Sequence, residues 1–422
     1  MSNHPSIESP RLQTLKEALQ QGEAGVLESF WGETQERGTP LIESIEGDDE
    51  NNLVTFLWRA TEPIARLTLV SLLTDRDQNV FERMADTDLW FLSCVIGDNI
   101  RATYQFFPES KDDLEQPIMD PMERLARYRH DPLNPMTYVF ERDEEDPDGF
   151  ELTRSVLQMP KAPAQPWNVR QTPASSGEVS MHRFRSEILD NERRVWVYTP
   201  PNYDPSRREP YPVLVLFDGT GFVKMSPLID ILENLIEAEL IPPLVAVMPC
   251  SLSQETRFRE LLLHRPFNEF LADELMPWAH ESYHLSDDPS QVVVAGASAG
   301  GLAAAYTALE LPEIFGNVLS LSGAFLWKNA EDHEHESLTR MIAQSDQTPI
   351  RFYLTAGTLE MRSLREIGNG PNLVIANRHL RTVLQAKAYP VWLNEFPGGH
   401  DMISWQGEIP KGLITLLGHE AP

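Results

Sequence analysis

Hydrophobic positions follow different rhythms in the two halves of this chain, with a change near residue 170. Residues 10 to 31 place Leu12, Leu15, Leu19, Val26, Leu27 and Phe30 at nearly helical spacing, which predicts a helix. A turn-rich acidic run, IEGDDENN, ends it. From residue 53 the segments VTFLWRA, RLTLVSLLT, TDLWFLSCVIG and RATYQFFP are β-branched and aromatic with partial alternation, and Gly, Asn, Asp and Pro punctuate them. Several short strands without helices between them predict a β-sandwich. Residues 108 to 148 are rich in Pro and Asp and predict little regular structure. Residues 160 to 177, PKAPAQPWNVRQTPASSG, read as a linker.

Beyond the linker, VSMHRFRSEIL and RRVWVYTP predict an antiparallel pair. Then come apolar runs bounded by turns: YPVLVLFDG, LVAVMPC, QVVVAGAS, NVLSLSG, IRFYLTAG and VWLNEFPGG. Continuous rather than alternating apolar runs mark strands buried on both faces. Helical segments are expected between them, at 225–239, 266–283, 300–310, 335–345, 371–388 and 409–418. Strands alternating with helices predict an α/β fold with a parallel sheet. The expected organisation is a helical segment over 1–50, a β-sandwich over 51–165 and an α/β-hydrolase domain over 178–422.

Composition adds limits. The 422 residues carry a net charge of −29, which disfavours nucleic acid and anionic membranes as partners. The two cysteines, Cys94 and Cys250, are far apart, so neither a disulfide framework nor a thiolate metal site is expected. No apolar run approaches the roughly 18 residues that cross a bilayer, and MSNHPSIESPRLQTL has no apolar signal core. A cytoplasmic setting is expected. His333 and His335 bracket an acidic run, EDHEHE, which reads as a solvated surface rather than a metal site.

The chemistry concentrates in Gly296-Ala297-Ser298-Ala299-Gly300-Gly301. It matches G-x-S-x-G, a strand-to-helix turn that projects a serine from the sheet. The buried strand before it and the small-residue helix after it favour that reading over a bystander serine. A serine hydroxyl needs a base. His400 follows the last expected strand, in Pro397-Gly398-Gly399-His400-Asp401, where this fold places its histidine. The third member, which orients the imidazole, belongs after IRFYLTAG. Glu360 is the first choice, with Glu366 and Asp401 as weaker ones and a two-residue site as a further alternative. The oxyanion hole needs two backbone N–H groups. Ala299 supplies one and Gly219 or Thr220 the other, although Asp218-Gly219 is equally a plain turn signal.

At this point the chain resembles the enterochelin (enterobactin) esterases, ferric-siderophore hydrolases. The resemblance runs from about residue 50. It rests on ADTDLWFLSCVIGDNIRATYQFFP, Asp131-Pro132-Leu133-Asn134-Pro135, the FDG ending at Gly219, Arg257-Phe258-Arg259-Glu260-Leu261, the serine motif, Leu321-Ser322-Gly323 and GGHD followed by Trp405. It implies hydrolysis of a catecholate trilactone to release iron, with Ser298 and His400 as nucleophile and base, and no cofactor or metal. It also implies that Arg257 lines the substrate pocket. A guanidinium suits anionic catecholates, and Lys224, Arg259, Arg265, Trp327 and Trp405 are further candidates near the substrate. For Arg257 the plainer alternative is an ion pair with Glu255 or Glu260. Two competing functions remain: another carboxylesterase, of the polysaccharide acetyl or feruloyl type, and a binding protein that keeps the fold without the chemistry. Ser298 and His400 together argue against the last.

Overall fold

The first half of the chain builds two antiparallel sheets from strands that bury aromatic side chains. In this computed structural model residues 8–418 are described, except 76–77, 117, 119, 144, 146–150, 171–175 and 362–371. The strands are β1 (Leu41–Ile45), β2 (Asp48–Arg59), β3 (Arg66–Val70), β4 (Glu82–Arg83), β5 (Leu89–Gly97), β6 (Arg101–Glu109), β7 (Thr137–Phe140) and β8 (Leu152–Gln158). They form two four-stranded sheets in the orders β1-β2-β5-β4 and β3-β6-β8-β7. Rings from the two sheets meet edge to face, Phe56 on Tyr104 at 4.8 Å and Trp58 on Phe106 at 5.6 Å. Such pairs add to the burial of their area. The Asp131-Pro-Leu-Asn turn is a structural device: the fully buried Asp131 carboxylate accepts from the Leu133 N–H and the Tyr104 hydroxyl, and Asn134 donates to Tyr104 and to the Val156 carbonyl.

Two expectations for this half are corrected. The single helix over 10–31 is two, Pro10–Gln20 and Val26–Arg37, parted by Gly22 and Gly25 at φ 76° and 77°. Glycine adopts that left-handed backbone without the Cβ penalty, so the apolar rhythm alone missed the break. Their buried residues Leu12, Leu15, Phe30 and Trp31 share a core with Leu41, Leu57, Met84 and Leu89. The stretch 108–148, expected to be irregular, contains helices Lys111–Glu115 and Pro121–Ala126 as well as β7. Caps announce these helices rather than periodicity: Ser110 and Asp113 form a reciprocal capping box, and Asp120 accepts from two N–H groups of the second.

The second half holds β9 (Glu178–Ser186), β10 (Asn191–Thr199), β11 (Val213–Leu216), β12 (Val245–Pro249), β13 (Val292–Ala297), β14 (Asn317–Leu321), β15 (Arg351–Gly357) and β16 (Val391–Phe396). They form one sheet in the order β16-β15-β14-β13-β11-β12-β10-β9. β9 and β10 are an antiparallel pair, and β11 to β16 run parallel. Every residue of β11, β12, β13 and β14 is buried, in keeping with their predominantly apolar runs, with Asn317 and Ser320 of β14 as buried polar exceptions. The crossover helices include Leu228–Glu237, Ala299–Glu310, Ser337–Gln344 and Leu373–Ala386. Parallel strands leave all their C-terminal ends on one edge, which is where loops from different crossovers converge.

Contacts divide the chain into two compact units, 1–140 with 151–163 and 397–399, and 141–150 with 164–396 and 400–422. The division at 163–164 falls within the Pro-rich linker. No helix among the described residues is long and apolar enough to cross a membrane.

Candidate active site

Ser298 stands at the end of β13, near the middle of the large sheet, with φ 58° and ψ −117°. A non-glycine residue held there costs about 1–3 kcal/mol, and the surroundings have to enforce it. They do so through the backbone. The Ser298 N–H donates to the Leu321 carbonyl at 2.8 Å, and the Ser298 carbonyl accepts from Leu302 at 3.1 Å and from Ala324 at 2.9 Å. Two glycines of the motif are dictated by contact. A Cβ at Gly296 would lie 2.5 Å from the Gly300 carbonyl, and one at Gly301 2.5 Å from Ser320 Oγ. The helix Ala299–Glu310 begins on the next residue, so its first N–H groups have no intrahelical acceptor and point at the serine's end of the sheet.

Glu360 lies just past β15 and its side chain is fully buried. Its Oε2 accepts from the Gly357 N–H at 2.9 Å, and its Oε1 is 2.8 Å from His400 Nδ1. A carboxylate accepts only, so the imidazole donates from Nδ1 and keeps a lone pair on Nε2. His400 follows β16 and is 27% exposed. Asp401 is committed elsewhere: it caps the helix Met402–Trp405, its Oδ1 accepting from the Ser404 N–H at 3.0 Å. Glu366 lies outside the described residues.

On the other side of Ser298, β11 is followed by Phe217 and then Asp218-Gly219. Asp218 has φ 60°, and Gly219 opens the short helix Gly219–Met225. A Cβ at Gly219 would sit 2.2 Å from the Met248 carbonyl of β12, so only glycine fits. The Gly219 and Ala299 N–H groups thus sit at the ends of neighbouring strands. Thr220 is tied by its hydroxyl to Cys250 at 3.0 Å and Trp196 Nε1 at 3.2 Å.

The ion pair of Arg257 differs from both alternatives read in the sequence. Its partner is Asp218, held by Nε at 2.9 and 3.0 Å and Nη2 at 2.7 Å, while Ser251 Oγ donates to the same carboxylate at 2.9 Å. Burial works against the guanidinium's charge, but Asp218 outweighs it and raises the Arg257 pKa. Glu260 pairs with Arg193 instead, through two bonds of 3.0 and 2.8 Å, both side chains being almost fully buried. That pair anchors the helix Gln254–Leu261, which carries Arg257. Removing one partner strands a buried charge. Glu260→Ala is expected to lower unfolding free energy by about 3–5 kcal/mol, read from a urea titration; a loss below 1 kcal/mol would contradict the anchoring role.

The remaining candidates are scattered. Lys224 is exposed on the helix Gly219–Met225, where its charge acts on Asp143, the partner of Arg194. Arg259 is exposed, and Arg265 pairs with Glu269 at the surface. Trp327 packs at the margin of the main core and donates to Asn329. Trp405 lies edge-on to His400, with centroids 4.9 Å apart, and donates from Nε1 to Ser322 Oγ at 2.9 Å. His335 contacts the Leu326 carbonyl through Nδ1, and no metal-binding cluster occurs among the described residues. Sequence reasoning missed Asp218, Ser251 and Ser322 as partners at this edge. Their positions after β11, β12 and β14 were the available signal.

Comparisons with known proteins point to one family. Residues 186–416 match the family model described as "Putative esterase", and residues 53–168 match "Enterochelin esterase, N-terminal". An iron(III) enterobactin esterase of Dickeya dadantii is 30% identical over 97% of this chain and 96% of its own. One from Escherichia coli O6:H1 is 30% identical over 92% and 96%. Among solved structures, an enterobactin esterase from Shigella flexneri, crystallised in the presence of enterobactin, superposes with a TM-score of 0.73 at 30% identity, over 91% of this chain and 97% of that one. A ferric enterobactin esterase from Salmonella typhimurium superposes with a TM-score of 0.74 at 29% identity, over 92% and 98%.

Proposed function

The chain belongs to the enterochelin esterase family, and from that premise we propose that it hydrolyses the ester bonds of a ferric catecholate trilactone such as enterobactin, using Ser298, His400 and Glu360. One observation carries the choice of residues. A buried Glu360 holds His400 through Nδ1 at 2.8 Å, on the sheet edge where Ser298 stands in strained backbone. Iron is cargo in this reaction and takes no part in the bond chemistry.

The steps follow from the roles. Ser298 Oγ attacks an ester carbonyl carbon of the lactone while its proton passes to His400 Nε2. The carbonyl electron pair moves onto oxygen, and the N–H groups of Ala299 and Gly219 bind that charge. Collapse breaks the ester C–O bond, and His400 returns the proton to the departing hydroxyl of the siderophore backbone. Water then attacks the acyl-enzyme, giving its proton to His400. Release of the carboxylic acid restores the Ser298 hydroxyl. Arg257 and Lys224 attract the anionic catecholates, and Trp327 offers them an aromatic surface. The guanidinium is shared with Asp218, so its contribution is hydrogen bonding more than net charge. With a chain charge of −29, such attraction acts only locally, since salt screens charge over about 8 Å. We assign the activity to the cytoplasm, a reducing compartment that suits two widely separated cysteines.

The test compares ferric enterobactin with p-nitrophenyl butyrate and a feruloyl ester, products being resolved by chromatography. Ring opening to linear trimer, then dimer and monomer, is expected, at a higher kcat/KM than for either simple ester. Cleavage of the simple esters alone would move the substrate to the other carboxylesterase class.

A further inference from the structure

The Leu321-Ser322-Gly323-Ala324 turn touches both halves of the proposed machinery. On one side it fixes the nucleophile. The Leu321 carbonyl receives the Ser298 N–H at 2.8 Å, and the Ala324 N–H reaches the Ser298 carbonyl at 2.9 Å. On the other side, Ser322 Oγ receives the indole N–H of Trp405 at 2.9 Å, and the Trp405 ring stands edge-on to His400 with an interplanar angle of 83°. Ser322 itself is rigid. It is fully buried, sits at φ 47°, and its N–H is bonded to Thr355. Trp405 is equally constrained, because it ends a one-turn helix capped by Asp401, the neighbour of His400.

We propose that Ser322 and Trp405 form a strut that sets the position of His400 relative to Ser298, making Trp405 a positioning residue rather than part of the substrate pocket. The Glu360 contact fixes one point of the imidazole and leaves rotation about the line through Nδ1 open. An indole held by its own hydrogen bond packs the ring and removes that freedom. The strut starts from the same turn that holds the Ser298 backbone, so nucleophile and base are referred to one rigid segment. Alignment of this kind is worth much in rate, since a displacement of about 1 Å can cost on the order of 100-fold. The inference rests on the roles proposed above for Ser298 and His400, but not on the identity of the ester.

The test uses the full chain with Trp405→Phe, Ser322→Ala and the double variant. Trp405→Phe keeps a ring and loses the N–H, whereas Ser322→Ala keeps the indole and loses its acceptor. Each is expected to lower kcat about 10- to 100-fold, on p-nitrophenyl butyrate and on ferric enterobactin alike, with KM within twofold of wild type. The double variant should be no worse than the poorer single one, because both changes remove one strut. A rise in KM confined to the trilactone, with kcat on the small ester unchanged, would make Trp405 a substrate contact and overturn the proposal. Multiplying losses in the double variant would overturn it too. If the trilactone is not cleaved, the small ester still reads the strut, so failure of the substrate assignment and failure of this inference remain distinct.

Discussion

Ser298→Ala is expected to lower kcat by about 10⁴- to 10⁶-fold on every ester the protein cleaves, with the fold intact. The size follows from what is lost. Without Oγ there is no acyl-enzyme, and His400 can act only on water that the site was not built to align. The binding groups and the Gly219 and Ala299 N–H pair stay, so some acceleration over the uncatalysed reaction survives. Stability should change by less than about 1 kcal/mol, because alanine meets the same strained backbone as serine. Paired measurements decide the matter: initial rates on ferric enterobactin and p-nitrophenyl butyrate, and a urea titration. Labelling by a fluorophosphonate, seen as a mass increase in the wild type and absent in the variant, gives an independent readout. Residual activity above a few per cent, in protein free of wild-type contamination, would remove Ser298 from its role whatever the fold.

Much of this architecture was legible because the physics is local. A strand buried on both faces is mostly apolar, and the runs ending at Leu216, Pro249, Ala297, Leu321 and Gly357 announced themselves that way, whereas Val391–Phe396, read in the same way, is an edge strand that leaves Trp392 exposed. The serine motif was legible for a similar reason. Close backbone approach at Gly296 and Gly301 leaves no room for a Cβ, so the glycines appear in the sequence.

Contacts made by tertiary placement left no comparable mark. Nothing in the sequence links Asp218 to Arg257, 39 positions away, because strand order alone brings the ends of β11 and β12 together. Arg257 has a nearer carboxylate one turn along its own helix, Glu260, and sequence proximity favours that pair. The fold instead turns Glu260 inward to meet Arg193. The indole of Trp405 suggested an aromatic surface for the substrate, since a hydrogen bond to a serine 83 positions earlier cannot be read from spacing. The helix break at Gly22 and Gly25 was missed for the opposite reason. The signal was present, but an apolar rhythm that nearly continues across it masked the turn.

Glu360→Gln is expected to lower kcat by about 10³- to 10⁴-fold while leaving KM within a few-fold. The two side chains have nearly the same shape, so the effect isolates charge and proton direction. In the native site both carboxylate oxygens accept, one from Gly357 and one from His400. An amide has one acceptor oxygen. If that oxygen stays with the Gly357 N–H, the amide nitrogen faces His400 Nδ1 and must donate to it. The imidazole then carries its proton on Nε2 and has no lone pair for Ser298. If the amide flips, the tautomer is right but the Gly357 N–H faces another donor in a buried site, at a cost of about 1–3 kcal/mol. In either orientation the imidazolium formed during attack loses the anion that stabilises it. Glu360→Asp keeps the charge but shortens the reach by one methylene, so a smaller loss in kcat is expected from it. Rates for the three proteins on p-nitrophenyl butyrate settle the point, since that ester makes little use of the siderophore pocket. A loss below tenfold for Glu360→Gln would mean that Ser298 and His400 work as a pair, with the 2.8 Å contact serving the fold rather than the reaction. A loss near 10³-fold or more, partly restored by aspartate, would make the carboxylate charge the third functional part of the site.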